Sequence, residues 1–363
     1  MTIEERDLSL LIALQENPLA PASKLAKAIG HSTPTVISRL SILKEDNSYY
    51  NVFADIKPET LELEIIDIII QIDNIENLEY FEKVICYNHP FTLFRIRCFG
   101  KMNGIYAQFR MPLGSKKQLI NLLTTLKEKK IIQDFSIPPI STNSRTIYTK
   151  ANLSNWESNL MRWKFDWKKW FSKMGKVSSS KIPRKNEPSL LNKMDELDIA
   201  LLEEISKSAR RKNTEIMEQL NLDKNDIGLP QKISRKLKLL DDKIISQYRV
   251  FLRWETFEIY NSFLAVCECD EAISFKLQNL LVKEPIPFES TFKITETGFL
   301  WYIRCPASHF SDASDIIWRI SKKIDFYFLD YKKSEFYGLW KDAFDSTNHK
   351  WQINLMDIDK IIK

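Results

Sequence analysis

The sequence predicts an α+β chain of two tandem modules, each opening as three helices and a hairpin and continuing as a β-α-β-β-α-β unit. Two observations carry this expectation. Segments recur in the same order at a shift of 191–198 residues, a period far longer than that of stacked repeats, so it marks two complete modules. Within each copy, the residues after the first sixty or so alternate as strand and helix in the split β-α-β-β-α-β order.

Each recurrence is modest, but together they are collinear over the chain. "RDLSLLIAL" (6–14) matches "LDIALLEEI" (197–205), with Asp7 over Asp198. "YNVF" (50–53) matches "YRVF" (248–251), "ETLEL" (59–63) matches "ETFEI" (255–259), and "PF" at 90–91 recurs at 287–288. "GIYAQFRMP" (104–112) matches "GFLWYIRCP" (298–306), keeping Gly, Arg and Pro in place. The first module divides into a winged helix-turn-helix at 1–57 and a ferredoxin-like βαββαβ domain at 58–150. The second repeats them at 191–254 and 255–340.

Residues 151–190 read as a Trp-rich helix and a basic flexible linker. Trp163, Trp167 and Trp170 are spaced as one stripe of a helix, expected to pack as core. "GKVSSSKIPRKNEP" is polar and turn-rich. Residues 341–363 read as a C-terminal tail outside the duplication.

The opening of each copy carries the functional signal. In "SKLAKAIGHSTPTVISRLSILKED", Gly30 ends one helix, Ser32 is an N-cap, and Pro34 lies in the first turn of the next helix. Val36, Leu40 and Leu43 form an i, i+4, i+7 stripe facing the core. Thr33, Thr35, Ser38 and Arg39 are left outward, with Ser32 at the helix start: short hydroxyls and a guanidinium suited to phosphates and base edges. "SYYNVFADI" follows as a wing. In copy two the stripe Ile233, Leu237, Leu240 sets the register, since a one-residue slip turns a helix by about 100°. Lys236 then matches Arg39, and Lys232, Arg235 and Lys238 join it on a more basic helix after a longer turn, "NLDKNDIGL". Double-stranded DNA is the expected partner.

Composition narrows the alternatives. An apolar share of 44% supports real cores, and 28% charged residues suits a soluble chain. "MTIEERDLSL" lacks a secretory pattern. The run "LELEIIDIIIQID" is short and interrupted by Glu62, Glu64 and Asp67, so a cytoplasmic protein with no membrane partner is expected. Five cysteines, an odd number, fit a reducing compartment. With four scattered histidines and one close cysteine pair, Cys267 and Cys269, no metal site is expected. The net charge of +5 is concentrated mid-chain: residues 162–185 hold nine Lys/Arg against one acid. There is no Ser/His/Asp set, metal spacing or phosphate-cradling glycine loop. No catalytic residue or cofactor is therefore assigned, and the chain is expected not to be an enzyme.

The layout resembles the Lrp/AsnC (leucine-responsive, feast/famine) family of regulators, through "DLSLLIAL", "SKLAKAIGHSTPTVISRLSIL" and the glycine-containing "CFGKMNGIYAQFRMP". The resemblance implies a transcriptional regulator that dimerises through ferredoxin-like domains and senses amino acids between them. Here it implies an intrachain pseudo-dimer with two non-identical DNA readers, open to further homodimerisation. It also implies an amino-acid-like small-molecule effector near Gly100, Asn103 and Gly104. The sequence departs from the family there, since Asn103 stands where an acidic residue is common and "ITETG" lacks a match to Gly100. The same layout resembles siroheme decarboxylases, which rely on histidines near the effector cleft; His89 in "YNHPF" is the candidate, but its repeat partner is Ile286. A protein-assembly module built on winged helices is the remaining alternative. The sequence favours the DNA-binding regulator over both.

Overall fold

The computed structural model describes residues 3–46, 49–185, 187–223 and 226–362. Ser48 of the first wing, and Lys224 and Asn225 of the longer second turn, lie outside these. The first module opens with α1 (Glu5–Glu16), α2 (Ala22–Ile29) and α3 (Thr33–Ser41). Gly30 leaves α2 at φ +70°, a left-handed turn that glycine adopts without a Cβ clash. The Ser32 side chain caps α3 by accepting from the Thr35 amide. Val36, Leu40 and Leu43 are buried in one core with Leu10, Leu11 and Leu14.

Then come β1 (Tyr50–Ile56), β2 (Leu63–Gln71), α4 (Ile75–Tyr80), β3 (Thr92–Gly100), β4 (Gly104–Pro112), α5 (Lys116–Glu128) and β5 (Asp134–Ser136). A first arm follows: β6 (Ile147–Thr149), the hairpin β7 (Trp156–Glu157) and β8 (Arg162–Trp163), and α6 (Trp167–Phe171). The second module supplies α7 (Glu196–Lys207), α8 (Asn213–Gln219), α9 (Leu229–Lys243), β9 (Ile245–Leu252), β10 (Asn261–Glu268), α10 (Glu271–Lys283), β11 (Glu289–Ile294), β12 (Gly298–Cys305), α11 (Ala307–Ile320) and β13 (Lys323–Phe336). Its own arm ends the chain: β14 (Phe344–Asp345), β15 (Lys350–Trp351) and α12 (Ile358–Ile361).

The βαββαβ units form one nine-stranded sheet in the order β5-β2-β4-β3-β13-β10-β12-β11-β6. Strand alternation sends Ile66, Ile68 and Ile70 of β2, and Phe299, Trp301 and Ile303 of β12, to the helix-covered face. The opposite faces of the two halves turn toward each other.

The modules exchange parts. Each wing strand finds its partner in the other copy: β1 and β9 pair antiparallel from Tyr50↔Leu252 to Ala54↔Tyr248. The first helical domain shares a core with the second βαββαβ unit and the first arm; the second helical domain shares one with the first unit and the second arm. The Trp163 indole donates to the Phe257 carbonyl and the Trp351 indole to the Leu61 carbonyl, both at 2.8 Å. These acceptors end equivalent turns, Pro58–Leu61 and Trp254–Phe257.

Residues 341–362 are therefore a second copy of the arm, not a tail outside the duplication. Phe344 stands for Trp156, Asp345 for Glu157, and His349 for Met161, each of the last two at φ +48°. Nor is the Trp-rich segment one helix. Trp163 lies on β8 while Trp167 and Trp170 lie on α6, because the Asp166 carboxylate caps a new helix by accepting from the Lys169 amide at 2.8 Å. All three indoles are buried. The segment expected as a flexible linker is held at Arg145 N to Ile182 O (3.0 Å) and Asn279 Nδ2 to Ser180 O (2.7 Å).

Replacing Trp163 or Trp351 with Ala should cost about 3–5 kcal/mol each, the range for large aromatics removed from cores. Denaturant melts of the two variants check this. A loss below about 1 kcal/mol for either would contradict reciprocal clamping.

Candidate functional site in the cleft between modules

The duplication creates two equivalent inner surfaces, and the chain treats them differently. On one side β3 pairs with β13, and the interior is filled by Ile96, Leu264 and Leu300 with Phe94, Tyr327 and Leu329. On the other side β5 and β11 are not neighbours in the sheet. Residues 137–146 cross between them instead, with the Ser141 amide on the Ile294 carbonyl at 2.9 Å. A cleft of about 1160 Å³ opens there, walled by the inner faces of β2, β4 and β11 and by the wing pair β1–β9.

At its floor lies a buried polar network. The Asp67 carboxylate accepts from the Tyr106 hydroxyl (2.5 Å), Gln108 Nε2 (2.8 Å) and Lys293 Nζ (2.5 Å). Asp67 is 1% exposed and Lys293 4%. Asp67 and Tyr106 come from the first module and Lys293 from the second. Burial, with the Asp67 charge adding to it, holds the Tyr106 phenol well above its usual range, so it stays protonated. By strand register, the equivalents of Asp67, Tyr106 and Lys293 are Leu264, Leu300 and Ile96. These are the apolar residues that seal the other side. Burying charge is costly unless it is paired, and the apolar solution at the mates shows that the fold does not require it.

The repeated arginines also diverge. Arg304 is satisfied by the Tyr302 hydroxyl (2.9 Å) and lies 5.2 Å over the Trp254 ring. Arg110 lines the cleft and, among the described residues, its guanidinium has no hydrogen-bond or ion-pair partner. Burial pushes it down to about 10, with Asp55 opposing, so it is a cation at neutral pH. Lys116 and Arg145 line the same space. Arg249 does so too, stacked 5.0 Å over Phe53 and paired with Asp55 at 2.6 Å. The arrangement suits a large ligand bearing several carboxylates.

The residues singled out from sequence lie elsewhere. Arg39 Nε donates to Asp7 at 2.8 Å, and its match Lys236 reaches Asp198 at 2.8 Å and Asp195 at 2.9 Å. Both cations are thus turned onto the first helix of their own domain. Ser32, Ser38, Lys232, Arg235 and Lys238 are exposed; Thr33 and Thr35 are partly covered, with the Ser32 and Thr35 hydroxyls 2.7 Å apart. Gly100, Asn103 and Gly104 build the β3–β4 turn: Asn103 Oδ1 accepts from the Gly100 amide at 3.1 Å. A Cβ on Gly100 or Gly104 would stand 2.2 Å from a neighbouring carbonyl oxygen. None of the three lines the cleft.

None of the four histidines lines it either. His89 packs behind β4, edge-on to Phe109 at 4.8 Å, and burial pushes it down to about 3. His309 Nδ1 accepts from the Trp167 indole at 3.2 Å. All five cysteines are buried free thiols. Among the described residues no helix is long and apolar enough to cross a membrane.

An AsnC-type helix-turn-helix domain model matches residues 4–44. No curated protein matches the chain. Among solved structures, the siroheme decarboxylase NirDL covers 97% of this chain and 98% of its own at 13% identity and a TM-score of 0.55. The same enzyme in complex with an iron-uroporphyrin III analogue covers 90% and 91%, at 12% identity and 0.52. E. coli AsnC covers 40% of this chain and 99% of its own, at 19% identity and 0.30. The tandem fold is thus shared over nearly the whole chain with a decarboxylase. The expectation that the chain is not an enzyme is corrected accordingly.

Removing Asp67 alone should strand a buried ammonium. Asp67→Ala is expected to cost about 3–5 kcal/mol, whereas the double change Asp67→Asn with Lys293→Met should cost much less. Equal losses in thermal or denaturant melts would contradict the pairing.

Proposed function

We propose that the protein is an enzyme of the siroheme-decarboxylase type, acting on a polycarboxylate tetrapyrrole bound in the cleft. The observation that carries this reading is Arg110, an unpaired guanidinium in a cleft of about 1160 Å³. That volume exceeds the roughly 300–1,000 Å³ usual for small-ligand pockets, as a macrocycle requires. Arg110, Lys116 and Arg145 can meet acetate and propionate side chains through charge-assisted hydrogen bonds. The whole-chain likeness to NirDL, itself solved with an iron-uroporphyrin III analogue, supports the same ligand class.

Sequence-specific DNA binding is a second reading, favoured by the AsnC-type helix-turn-helix at residues 4–44. Its carriers would be Lys232, Arg235 and Lys238, with the hydroxyls of Ser32, Thr33, Thr35 and Ser38. Arg39 and Lys236 already hold carboxylate partners.

Parallel titrations separate the readings: iron-uroporphyrin III followed by absorbance, and mixed genomic duplex followed by anisotropy across a salt series. The decarboxylase reading expects saturable tetrapyrrole binding, weakened on the order of 10–100-fold by Arg110→Ala, the worth of a hydrogen bond to a charged group. No tetrapyrrole binding, with duplex binding that falls steeply with salt, would reverse the order of the two.

A further inference from the structure

Decarboxylation of an acetate side chain leaves a carbon that must receive a proton, and no histidine lines the cleft to supply it. The duplicated counterpart answers the Asp67 network with three aliphatic side chains, Leu264, Leu300 and Ile96. The network is buried, it faces the cleft, and it draws on both modules. We infer that Lys293 is the proton donor of the decarboxylation, with Asp67 and Tyr106 as its positioning residues; this rests on the decarboxylase reading above.

The geometry gives each residue a separate task. Asp67 anchors the Lys293 side chain through the 2.5 Å contact to Nζ. Tyr106 and Gln108 both donate to the other carboxylate oxygen, Oδ1, which fixes the plane of Asp67 and hence the position of Nζ. The step balances without an oxidant or reductant. The bond between the methylene carbon and the carboxylate carbon breaks, and its electron pair passes to the methylene carbon and the conjugated ring. Carbon dioxide leaves. A proton from Nζ forms the new C–H bond, giving a methyl group, and the neutral amine regains its proton from solvent through the open side of the cleft. Arg110 serves a different end, holding a carboxylate that is kept, so the two cations should separate into turnover and affinity.

The test uses the full-length protein, with iron-uroporphyrin III as the binding probe and siroheme as the substrate, its product followed by mass. Lys293→Met should bind the probe within about threefold of wild type yet lose on the order of 100-fold or more in turnover, the usual worth of a general acid. Lys293→Ala should regain turnover when a small primary ammonium salt is added, which a merely structural lysine would not. Since the single variants leave Asp67 unpaired, the Asp67→Asn, Lys293→Met double variant provides the folded control; it too should bind and not turn over. Tyr106→Phe should keep affinity with a smaller loss of rate.

Turnover of Lys293→Met, or of the double variant, within about threefold of wild type would overturn the assignment. So would a loss of probe binding that matches the loss of rate, since Lys293 would then be a binding residue. A wild-type protein that binds neither compound would overturn the decarboxylase reading itself, and this inference with it.

Discussion

The exchange of the two aromatic arms sets the geometry of everything else. Trp163 and Trp351 each reach across to the carbonyl that ends the first turn of the other module's βαββαβ unit. Each arm first adds a strand to the partner's second strand, Ile147–Thr149 against β11 and Glu335–Phe336 against β3. The wing strands then close the exchange, since β1 without β9 would leave a lone strand with an unpaired edge. With arms and wings shared, each core is built from both copies, and the inner faces of the two half-sheets are held opposite one another.

From that constraint follows the asymmetry. In a symmetric pair, the two inner surfaces would be alike. Here the fourth strand of the second module runs on into its arm and pairs with β3, closing one side. The first module instead breaks after β5 and spends residues 137–146 crossing to β11. The closed side filled with Ile96, Leu264 and Leu300; the open side holds Lys293, Asp67 and Tyr106 at the same positions. A fused duplication permits this, because the copies can change independently, whereas a homodimer must carry every substitution twice.

Much of the fold was legible from the residues. The helix-turn-helix signals at Gly30, Ser32 and Pro34 and the βαββαβ alternation are local, and local physics dictates them. The match of Asp7 to Asp198 foreshadowed the paired contacts to Arg39 and Lys236, although those contacts turn the two cations inward. What resisted reading was long-range or divergent. The second arm's hairpin "FDSTNHKW" (344–351) does echo "WESNLMRW" (156–163), with Phe for Trp, Asp for Glu, Lys for Arg and Trp351 for Trp163, but at a shift of 188 that falls outside the 191–198 of the other recurrences. The cleft escaped for a related reason: a search for what the copies share passes over Asp67, Tyr106 and Lys293, whose meaning lies in their difference from Leu264, Leu300 and Ile96. Arg110 was in view as the arginine of "GIYAQFRMP", but only the structure shows that, unlike Arg304 with its Tyr302 and Ser262 contacts, its guanidinium meets no partner among the described residues.

Hydrogen–deuterium exchange on the full-length protein, with and without saturating iron-uroporphyrin III, tests the central claim most directly. The account predicts slower exchange in β1, β9, residues 137–146 and the strands bearing Asp67, Tyr106 and Lys293, with α3 and α9 unchanged. Protection confined to α3 and α9, or to the sealed β3–β13 side, would contradict it.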